Sequence, residues 1–190
     1  MKMTVMLALV AVMALPVGAV EIGEKAPEFK LMDQNGTAVK LSDSAGSIRV
    51  LEWTNPECPF VVRHYKAETM KKLAAKYGDK NVVWLTINSS HHQDRDTNLA
   101  MIKTYKLDQT LLTDQDGAVG RAYEAKTTPH MYIVDGDGKV VYAGAIDDDP
   151  RGRKESPLNY VDQALEALVA GKAVPTASTD PYGCSVKYAK

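Results

Sequence analysis

Two cysteines, Cys58 and Cys184, are the residues of this sequence with the clearest capacity for redox chemistry. Cys58 follows an apolar, β-rich segment and precedes Pro59, and proline is favoured at the first position of a helix. Cys58 is therefore predicted to be a helix N-cap, where unpaired N–H groups and the helix dipole lower a thiol pKa from about 8.5 toward neutrality. A thiolate is the nucleophile that redox chemistry needs. The alternative is an inert cysteine packed as a small apolar side chain.

Cys184 is the one other cysteine of the chain, and an oxidising compartment permits the two to pair. A disulfide between residues 58 and 184 would close a long loop. Constraining the unfolded chain in that way contributes roughly 3 to 5 kcal/mol to stability. Composition alone does not distinguish a structural disulfide from an active redox pair, so both interpretations stay open at this point.

Other polar residues offer weaker signals. Arg63, one turn into the predicted helix, and Arg121 are candidates for stabilising a thiolate or a leaving oxygen, although arginines are common on protein surfaces. Cys58, His64 and His130 could bind copper or zinc only if the fold brought them together, because no ligand spacing lies on one element. We expect no metal and no cofactor.

The predicted elements place Cys58 between a strand and a helix. An Asp33-Gln34-Asn35-Gly36 turn predicts an N-terminal hairpin within residues 21–40. The pattern then predicts a strand over 48–53, a helix over 61–77, a strand over 81–88 and a helix over 96–105. These four segments form a β-α-β-α unit.

The second half of the chain predicts an antiparallel pair and a closing helix. Strands at 130–134 and 139–143 are joined by an Asp135-Gly136-Asp137-Gly138 turn, too short for a parallel connection. A helix over 158–170 ends at Gly171, and residues 171–190 form a C-terminal tail that carries Cys184. The order describes an α/β fold with a central mixed sheet flanked by helices, which is that of the thioredoxin fold.

Pro129 is expected near Cys58 in such a fold. A proline just before the first strand of the hairpin lies across from the redox cysteine of a thioredoxin-like protein, and its cis form presents backbone groups to a substrate. Thr128 and Pro129 within Thr127-Thr128-Pro129-His130 fit that position. An ordinary trans proline at the start of a strand would give the same sequence pattern.

Several segments together resemble the peroxiredoxin-like branch of the AhpC/TSA redoxins, within the thioredoxin-like superfamily. The most specific are Cys58-Pro59-Phe60-Val61 and Gly183-Cys184-Ser185-Val186-Lys187-Tyr188, and the resemblance covers nearly all of residues 20–190. Thioredoxins have Cys-x-x-Cys and peroxiredoxins have Thr-x-x-Cys. Asn55 occupies the first place of both motifs here, which excludes a local dithiol mechanism and leaves peroxide reduction without its usual threonine.

The resemblance implies a thiol oxidoreductase with Cys58 as nucleophile and Cys184 as resolving thiol, supported by Asn55, Pro59, Arg63, Arg121, Thr128 and Pro129. Its expected substrates are peroxides or protein disulfides, with an external thiol as reductant. A sulfenic acid formed at Cys58 would need a second thiol to capture it. The alternative is a non-enzymatic binding module of the same fold, in which Cys58 and Cys184 form a static disulfide.

The first 19 residues are predicted to be a signal peptide. Lys2 supplies a short positive region, residues 3–15 are almost entirely apolar, and Val17-Gly18-Ala19 suits cleavage after Ala19. We expect export to a periplasm or the extracellular space, with residues 20–190 as a single domain and no stable membrane association after cleavage. A retained interfacial anchor is the alternative. With 23 basic and 24 acidic residues, the chain lacks the positive charge that nucleic acid binding needs.

Overall fold

Nine strands form two sheets within residues 20–190, the part of the chain that the computed structural model describes. They are β1 Lys30–Asp33, β2 Ala38–Lys40, β3 Ile48–Trp53, β4 Val82–Asn88, β5 Thr110–Thr113, β6 Thr127–Thr128, β7 His130–Val134, β8 Val140–Gly144 and β9 Cys184–Ser185. Seven of them make one mixed sheet in the order β2-β1-β5-β4-β3-β7-β8, and β6 pairs with β9 separately. The predicted signal peptide lies outside the described residues.

The centre of the large sheet is parallel and its flanks are antiparallel. β3 pairs with β4 and β4 with β5 in parallel, while β7 runs antiparallel between β3 and β8. Buried apolar side chains line both faces of β3, as expected for a central strand covered on both sides. The carboxyl end of β3 leads directly into the segment that carries Cys58.

Five helices accompany the sheet: α1 Pro59–Lys66, α2 Thr69–Tyr77, α3 Arg95–Tyr105, α4 Ala118–Ala122 and α5 Tyr160–Val169. Buried residues of α1, α2, α3 and α5 share one core cluster with Val50, Trp84 and Ile133 of the sheet. The other face is covered by α4, by the N-terminal segment and by Val186 of the tail. The predicted mixed sheet flanked by helices is confirmed.

The single helix predicted over 61–77 is two helices, separated at Ala67 and Glu68. Glu68 takes a left-handed conformation with φ of 57°, which ends the helical path. The first helix buries Val61, His64 and Tyr65, and the second buries Met70, Leu73 and Tyr77. At 100° per residue, one continuous helix would place these two groups on opposite sides. The break brings both apolar faces to the sheet.

The sequence pattern did not predict several short elements that the structure contains. β5 and α4 have four and five residues, too few for a periodic pattern, and β9 has two. The N-terminal hairpin, β3, β4, β7 and β8 lie within a residue or two of their predicted positions. No helix in residues 20–190 has the length and apolar character needed to cross a bilayer.

Candidate redox site

Cys58 is the N-cap of α1. Its backbone is extended, with φ of −80° and ψ of 119°, and Pro59 begins the helix. The Cys58 N–H donates to the Asn55 carbonyl at 3.0 Å, which closes the turn between β3 and α1. The side chain is 1% exposed, and its thiol donates to the Thr128 carbonyl oxygen at 2.9 Å. The sulfur therefore lies between a helix N-terminus and β6.

Cys184 reaches the same place from the tail. β9 pairs antiparallel with β6, in a register that sets Cys184 opposite Thr128 and Ser185 opposite Thr127. The pairing continues through the Val186 N–H, which donates to the Lys126 carbonyl at 3.1 Å. Cys184 packs against the core cluster that contains Cys58 and stays partly exposed. Both cysteines are free thiols in this arrangement.

The surroundings of Cys58 favour its ionised form. Burial by itself raises the pKa of Cys58, but hydrogen bonds from the Thr128 side chain, from the Val61 backbone and from Cys184 outweigh it and lower the pKa below its ordinary value. The Thr128 hydroxyl is buried and has no hydrogen-bond partner among residues 20–190 while Cys58 is a neutral thiol, so it is free to donate to the thiolate. The Val61 amide is one of the free N–H groups in the first turn of α1, as the N-cap position predicts.

Cys184 behaves in the opposite way. Burial, the hydrogen bond with Cys58 and the charge of the Cys58 thiolate raise the pKa of Cys184 to about 11, with a smaller opposing effect from Lys187. Of two neighbouring thiols only one readily carries the negative charge, and the other then stabilises it as a donor. Cys58 takes the charge and Cys184 keeps its proton.

Pro129 follows β6, and the peptide bond between Thr128 and Pro129 is cis. This peptide bond lies beside the sulfur of Cys58, because the thiol donates to the Thr128 carbonyl. This places Thr128 and Pro129 where the sequence predicted them. His130, the next residue, is buried on the opposite face of the sheet and packs on Tyr132 at 4.5 Å between ring centroids. Desolvation by burial and the charge of Lys126 lower the pKa of His130 to about 3.

Asn55 shapes the loop before Cys58. Its Oδ1 accepts from the Glu57 N–H at 2.8 Å and from Gln93 Nε2 at 3.1 Å, and its Nδ2 donates to Ser90 Oγ at 3.1 Å. The side chain is 2% exposed. These bonds hold the Pro56-Glu57 turn and occupy the Oδ1 acceptor and one of the two Nδ2 hydrogens of Asn55.

Arg63 anchors the tail on one side of Cys184. Its guanidinium donates to the carbonyls of Asp149 and Pro150 and, at 3.2 Å, to the Tyr182 hydroxyl. Tyr182 also bonds His64 Nε2 at 2.9 Å and donates to the Asp147 carboxylate. This cluster joins α1 to the segment just before Gly183.

Arg121 anchors the tail on the other side of Cys184. Its guanidinium lies 4.7 Å above the Tyr188 ring and donates to the Ala189 carbonyl at 2.8 Å. Tyr188 in turn donates to the Ala125 carbonyl at 2.8 Å. Neither arginine is among the groups that stabilise the ionised sulfur of Cys58. The structure places both of them at the ends of β9, where they hold the strand that carries Cys184.

The groups that sequence reasoning missed belong to this tail. Tyr182 and Tyr188 anchor it, and the Val61 N–H contributes to the thiolate site. Aromatic residues on either side of a cysteine in a Pro-containing tail were the available signal, but their partners lie 35 to 119 residues away along the chain. No group of three or more His, Cys, Asp or Glu side chains within residues 20–190 is arranged to hold a metal ion.

The sequence of this chain is similar to those of known proteins. The sequence profile described as the AhpC/TSA family matches residues 22–143. The thiol-disulfide oxidoreductase ResA of Bacillus thuringiensis subsp. konkukian (strain 97-27) is 28% identical over 131 residues, which are 64% of this chain and 68% of that protein. The matched profile includes Cys58 and Pro129 and ends before Cys184.

Two solved structures superpose over more of the chain. An uncharacterized conserved protein from Geobacillus kaustophilus has a TM-score of 0.82 and 30% identity, covering 90% of this chain and 93% of its own. A hypothetical protein from Sinorhizobium meliloti 1021 also has a TM-score of 0.82, with 26% identity over 90% of this chain and 97% of its own. The similarity to both extends well beyond the part that the family profile matches.

Proposed function

This chain belongs to the AhpC/TSA family of the thioredoxin-like superfamily, and from that premise we propose that it is a thiol oxidoreductase whose redox pair is Cys58 and Cys184. The observation that carries the proposal is the register of β6 and β9, which sets Cys184 opposite Thr128. The carbonyl oxygen of Thr128 also accepts a hydrogen bond from the Cys58 thiol. A low-pKa thiol beside a second thiol is the arrangement that forms and breaks a disulfide.

Thiol–disulfide exchange is the reaction that we favour. The curated relative with 28% identity is named a thiol-disulfide oxidoreductase. In this chain Asn55 stands where the first cysteine of a Cys-x-x-Cys pair would be, so a local pair is absent and the second sulfur comes from β9. The substrates we propose are disulfides or dithiols of proteins, with an external thiol as reductant.

Peroxide reduction is a second candidate, supported by the lowered pKa of Cys58 and by the thiol next to it. A peroxide would oxidise the Cys58 thiolate to a sulfenic acid, and the Cys184 thiol would condense with it to a disulfide and release water. The Asn55 side chain, however, is committed to Glu57, Ser90 and Gln93. In an antioxidant role, the Thr128 hydroxyl and the Val61 N–H, which stabilise the Cys58 thiolate, would also position the peroxide.

Stopped-flow mixing tests these two candidates. Reduced protein is mixed with oxidised glutathione or with hydrogen peroxide, and disulfide formation is followed in the parent, Cys58→Ser and Cys184→Ser. We expect a Cys58–Cys184 disulfide in the parent alone, and a persistent sulfenic acid or mixed disulfide at Cys58 in Cys184→Ser. If Cys58→Ser consumes both oxidants as fast as the parent does, Cys58 is not the nucleophile.

A static disulfide is the competing interpretation, and the reduction potential separates the two. A redox pair should be reduced near the potential of a cellular thiol pool, whereas a structural disulfide resists reduction to below about −300 mV. Equilibration of the protein in dithiothreitol redox buffers measures this value. A potential below that limit would assign the pair to stabilisation of a binding module.

We also propose that residues 1–19 are a signal peptide and that residues 20–190 form one exported domain. The two core clusters lie on opposite faces of the same sheet and include the tail, which supports a single domain. Export would give Cys58 and Cys184 a compartment in which a disulfide persists. Mass spectrometry of the exported protein should find an N-terminus at Val20, and a retained Met1 would contradict this.

A further inference from the structure

The two sulfurs of the redox pair differ in how a partner can approach them. Cys58 is 1% exposed, whereas Cys184 remains partly open to solvent. In a Cys-x-x-Cys pair the first cysteine receives the partner, and Asn55 has taken its place here. The structure therefore has to supply an accessible sulfur from elsewhere.

β9 blocks the approach to Cys58 from the side of β6. It occupies the free edge of Thr127–Thr128 with backbone pairing, and Gly183 lies so close to the Thr128 carbonyl that a Cβ at this position would clash with it. Tyr182 and Tyr188 hold the strand at both ends through Arg63 and Arg121. A partner that needs direct contact with the Cys58 sulfur would have to displace this strand.

The same geometry makes Cys58 the better leaving group. A thiolate expelled at Cys58 stays within reach of the Thr128 hydroxyl and of the free N–H groups at the start of α1, whose dipole favours negative charge. Cys184 lies on β9 and no N–H group of α1 is among the groups that act on its thiol, and its charged neighbour Lys187 directs its amine to Ser185 Oγ at 3.1 Å. In disulfide exchange, the sulfur that leaves fastest is the one whose thiolate is most stabilised.

We infer that a partner thiolate enters at Cys184 and that Cys58 is the leaving group, so the tail cysteine forms the mixed disulfide. This inference rests on the proposed function, because it requires a Cys58–Cys184 disulfide. The partner sulfur bonds to Cys184 Sγ while the bond between Cys184 Sγ and Cys58 Sγ breaks, and the electron pair of that bond stays on Cys58. A second partner thiolate then attacks the partner's own sulfur and expels Cys184, which takes a proton from solvent. The partner is oxidised to a disulfide, and the protein gains two electrons.

Capture of the mixed disulfide tests the inference. Oxidised protein is mixed with reduced glutathione, quenched in acid at successive times, denatured and treated with N-ethylmaleimide. Trypsin separates the two sites, because cleavage after Arg49, Arg63, Lys172 and Lys187 puts Cys58 and Cys184 in different peptides. We expect glutathione on Cys184 and maleimide on Cys58, with at least ~10-fold more adduct on Cys184 than on Cys58.

The outcomes separate the inference from the function beneath it. Adduct mainly on Cys58 would overturn the inference alone. Adduct on neither sulfur would also overturn it, because the acid quench protonates the released Cys58 thiolate and stops it from expelling glutathione from Cys184. If oxidation yields no Cys58–Cys184 disulfide, the proposed function fails and the inference falls with it. Cys184→Ser cannot form the Cys58–Cys184 disulfide and should take up no reduced glutathione; any adduct it does carry comes from oxidised glutathione in the reagent and is subtracted.

Discussion

The charge on Cys58 is set by a few groups within hydrogen-bonding distance of one sulfur. Burial opposes ionisation, and the pKa is nevertheless lowered because the Thr128 side chain, the Val61 N–H and Cys184 all donate to the thiolate. Two of these donors come from outside α1, so the helix N-terminus does not act alone. The position of β6 beside Cys58 is therefore as important as the N-cap itself.

Replacing Thr128 with valine should raise the pKa of Cys58. Valine keeps the shape of threonine and removes the hydroxyl, and a hydrogen bond to a charged group contributes about 1.5 to 3 kcal/mol, which corresponds to a pKa increase of about 1 to 2. Thiolate absorbance in the ultraviolet, followed against pH, measures this without requiring a reagent to reach the buried sulfur.

Thr127→Val is the matched control for that experiment. The Thr127 hydroxyl donates to the Pro129 carbonyl at 3.0 Å and is not among the groups that stabilise the Cys58 thiolate. The control should leave the titration of Cys58 where it is in the parent. If Thr128→Val also leaves it there, the hydroxyl does not contribute to the thiolate site.

At the scale of elements, the tail is a strand of the fold. β9 completes a two-stranded sheet with β6, and the side chains on both sides of it are packed: Val186 is 9% exposed within a core cluster, and Tyr182 is bonded to His64 and Asp147. A tail held in this way sets the position of Cys184 and also determines whether reagents reach Cys58.

Gly183→Ala should expose Cys58. Gly183 has φ of 140°, and an added methyl group would collide with the Thr128 carbonyl, so β9 has to move away from β6. If the substitution destabilises the pairing of β9 with β6 by about 1.4 kcal/mol, the population of molecules in which β9 has moved away from β6 rises ~10-fold. Alkylation of Cys58 by iodoacetamide, measured by mass spectrometry of the reduced protein, should accelerate by that factor or more.

Gly171→Ala provides the comparison. Gly171 also has a positive φ, of 67°, but no atom lies within 4 Å of the added carbon, so the collision is absent. Circular dichroism of both variants confirms that they are folded. Equal alkylation rates for the two variants would mean that β9 does not cover Cys58.

At the scale of the whole molecule, the carboxyl group of Glu52 is buried at the centre of the large sheet. Glu52 is fully buried in β3 and accepts hydrogen bonds from Tyr65 at 2.6 Å, Trp84 at 2.8 Å and Thr86 at 3.3 Å. Desolvation by burial outweighs these bonds and raises the pKa of Glu52 to about 7. The native protein therefore holds a proton at Glu52 that the unfolded chain releases at lower pH.

This proton makes global stability depend on pH in a definite direction. Because the folded pKa is the higher one, the contribution of Glu52 is fully present below the unfolded value near 4.5 and is lost as pH rises through about 7. Relative to Glu52→Gln, which stays neutral, the free energy of unfolding of the parent should fall by about 2 to 3 kcal/mol between pH 5 and pH 8. Urea unfolding at the two pH values measures the difference.

The comparison with Glu52→Gln cancels the titration of His64 and His130, whose pKa values are lowered by burial and which act in the opposite direction at acid pH. Glu166→Gln, on the exposed side of α5, serves as a surface control and should parallel the parent. A parent and a Glu52→Gln variant with the same pH dependence would show that Glu52 does not titrate in this range.

Much of this architecture could be predicted because local signals were strong. The boundaries of β3 agree with the apolar run at 48–53, and Pro59 after Cys58 indicated the helix start. The break at Glu68 depends on which side of α2 meets the sheet, and β9 depends on an edge more than 50 residues away along the chain. Such features are set by tertiary packing, which a local sequence pattern does not predict.

The site was predictable in its parts and not in its assembly. Cys58, Thr128 and Pro129 were expected near one another, and the structure places them together. Arg63 and Arg121 were expected at the sulfur and instead bond Tyr182 and the tail beyond Cys184. From sequence, an arginine one turn into the helix gives no indication of which way its guanidinium turns.

The distance between the two cysteines along the chain has a consequence for the order of synthesis. Cys58 leaves the ribosome long before Cys184, and β6 with its unpaired edge also precedes β9 by more than 50 residues. Until that last strand arrives, a nascent chain presents a thiol at the start of α1 with nothing laid across it. We therefore expect Cys58 to be more open to pairing with other thiols before Cys184 and Val186 take their places in the fold than afterwards.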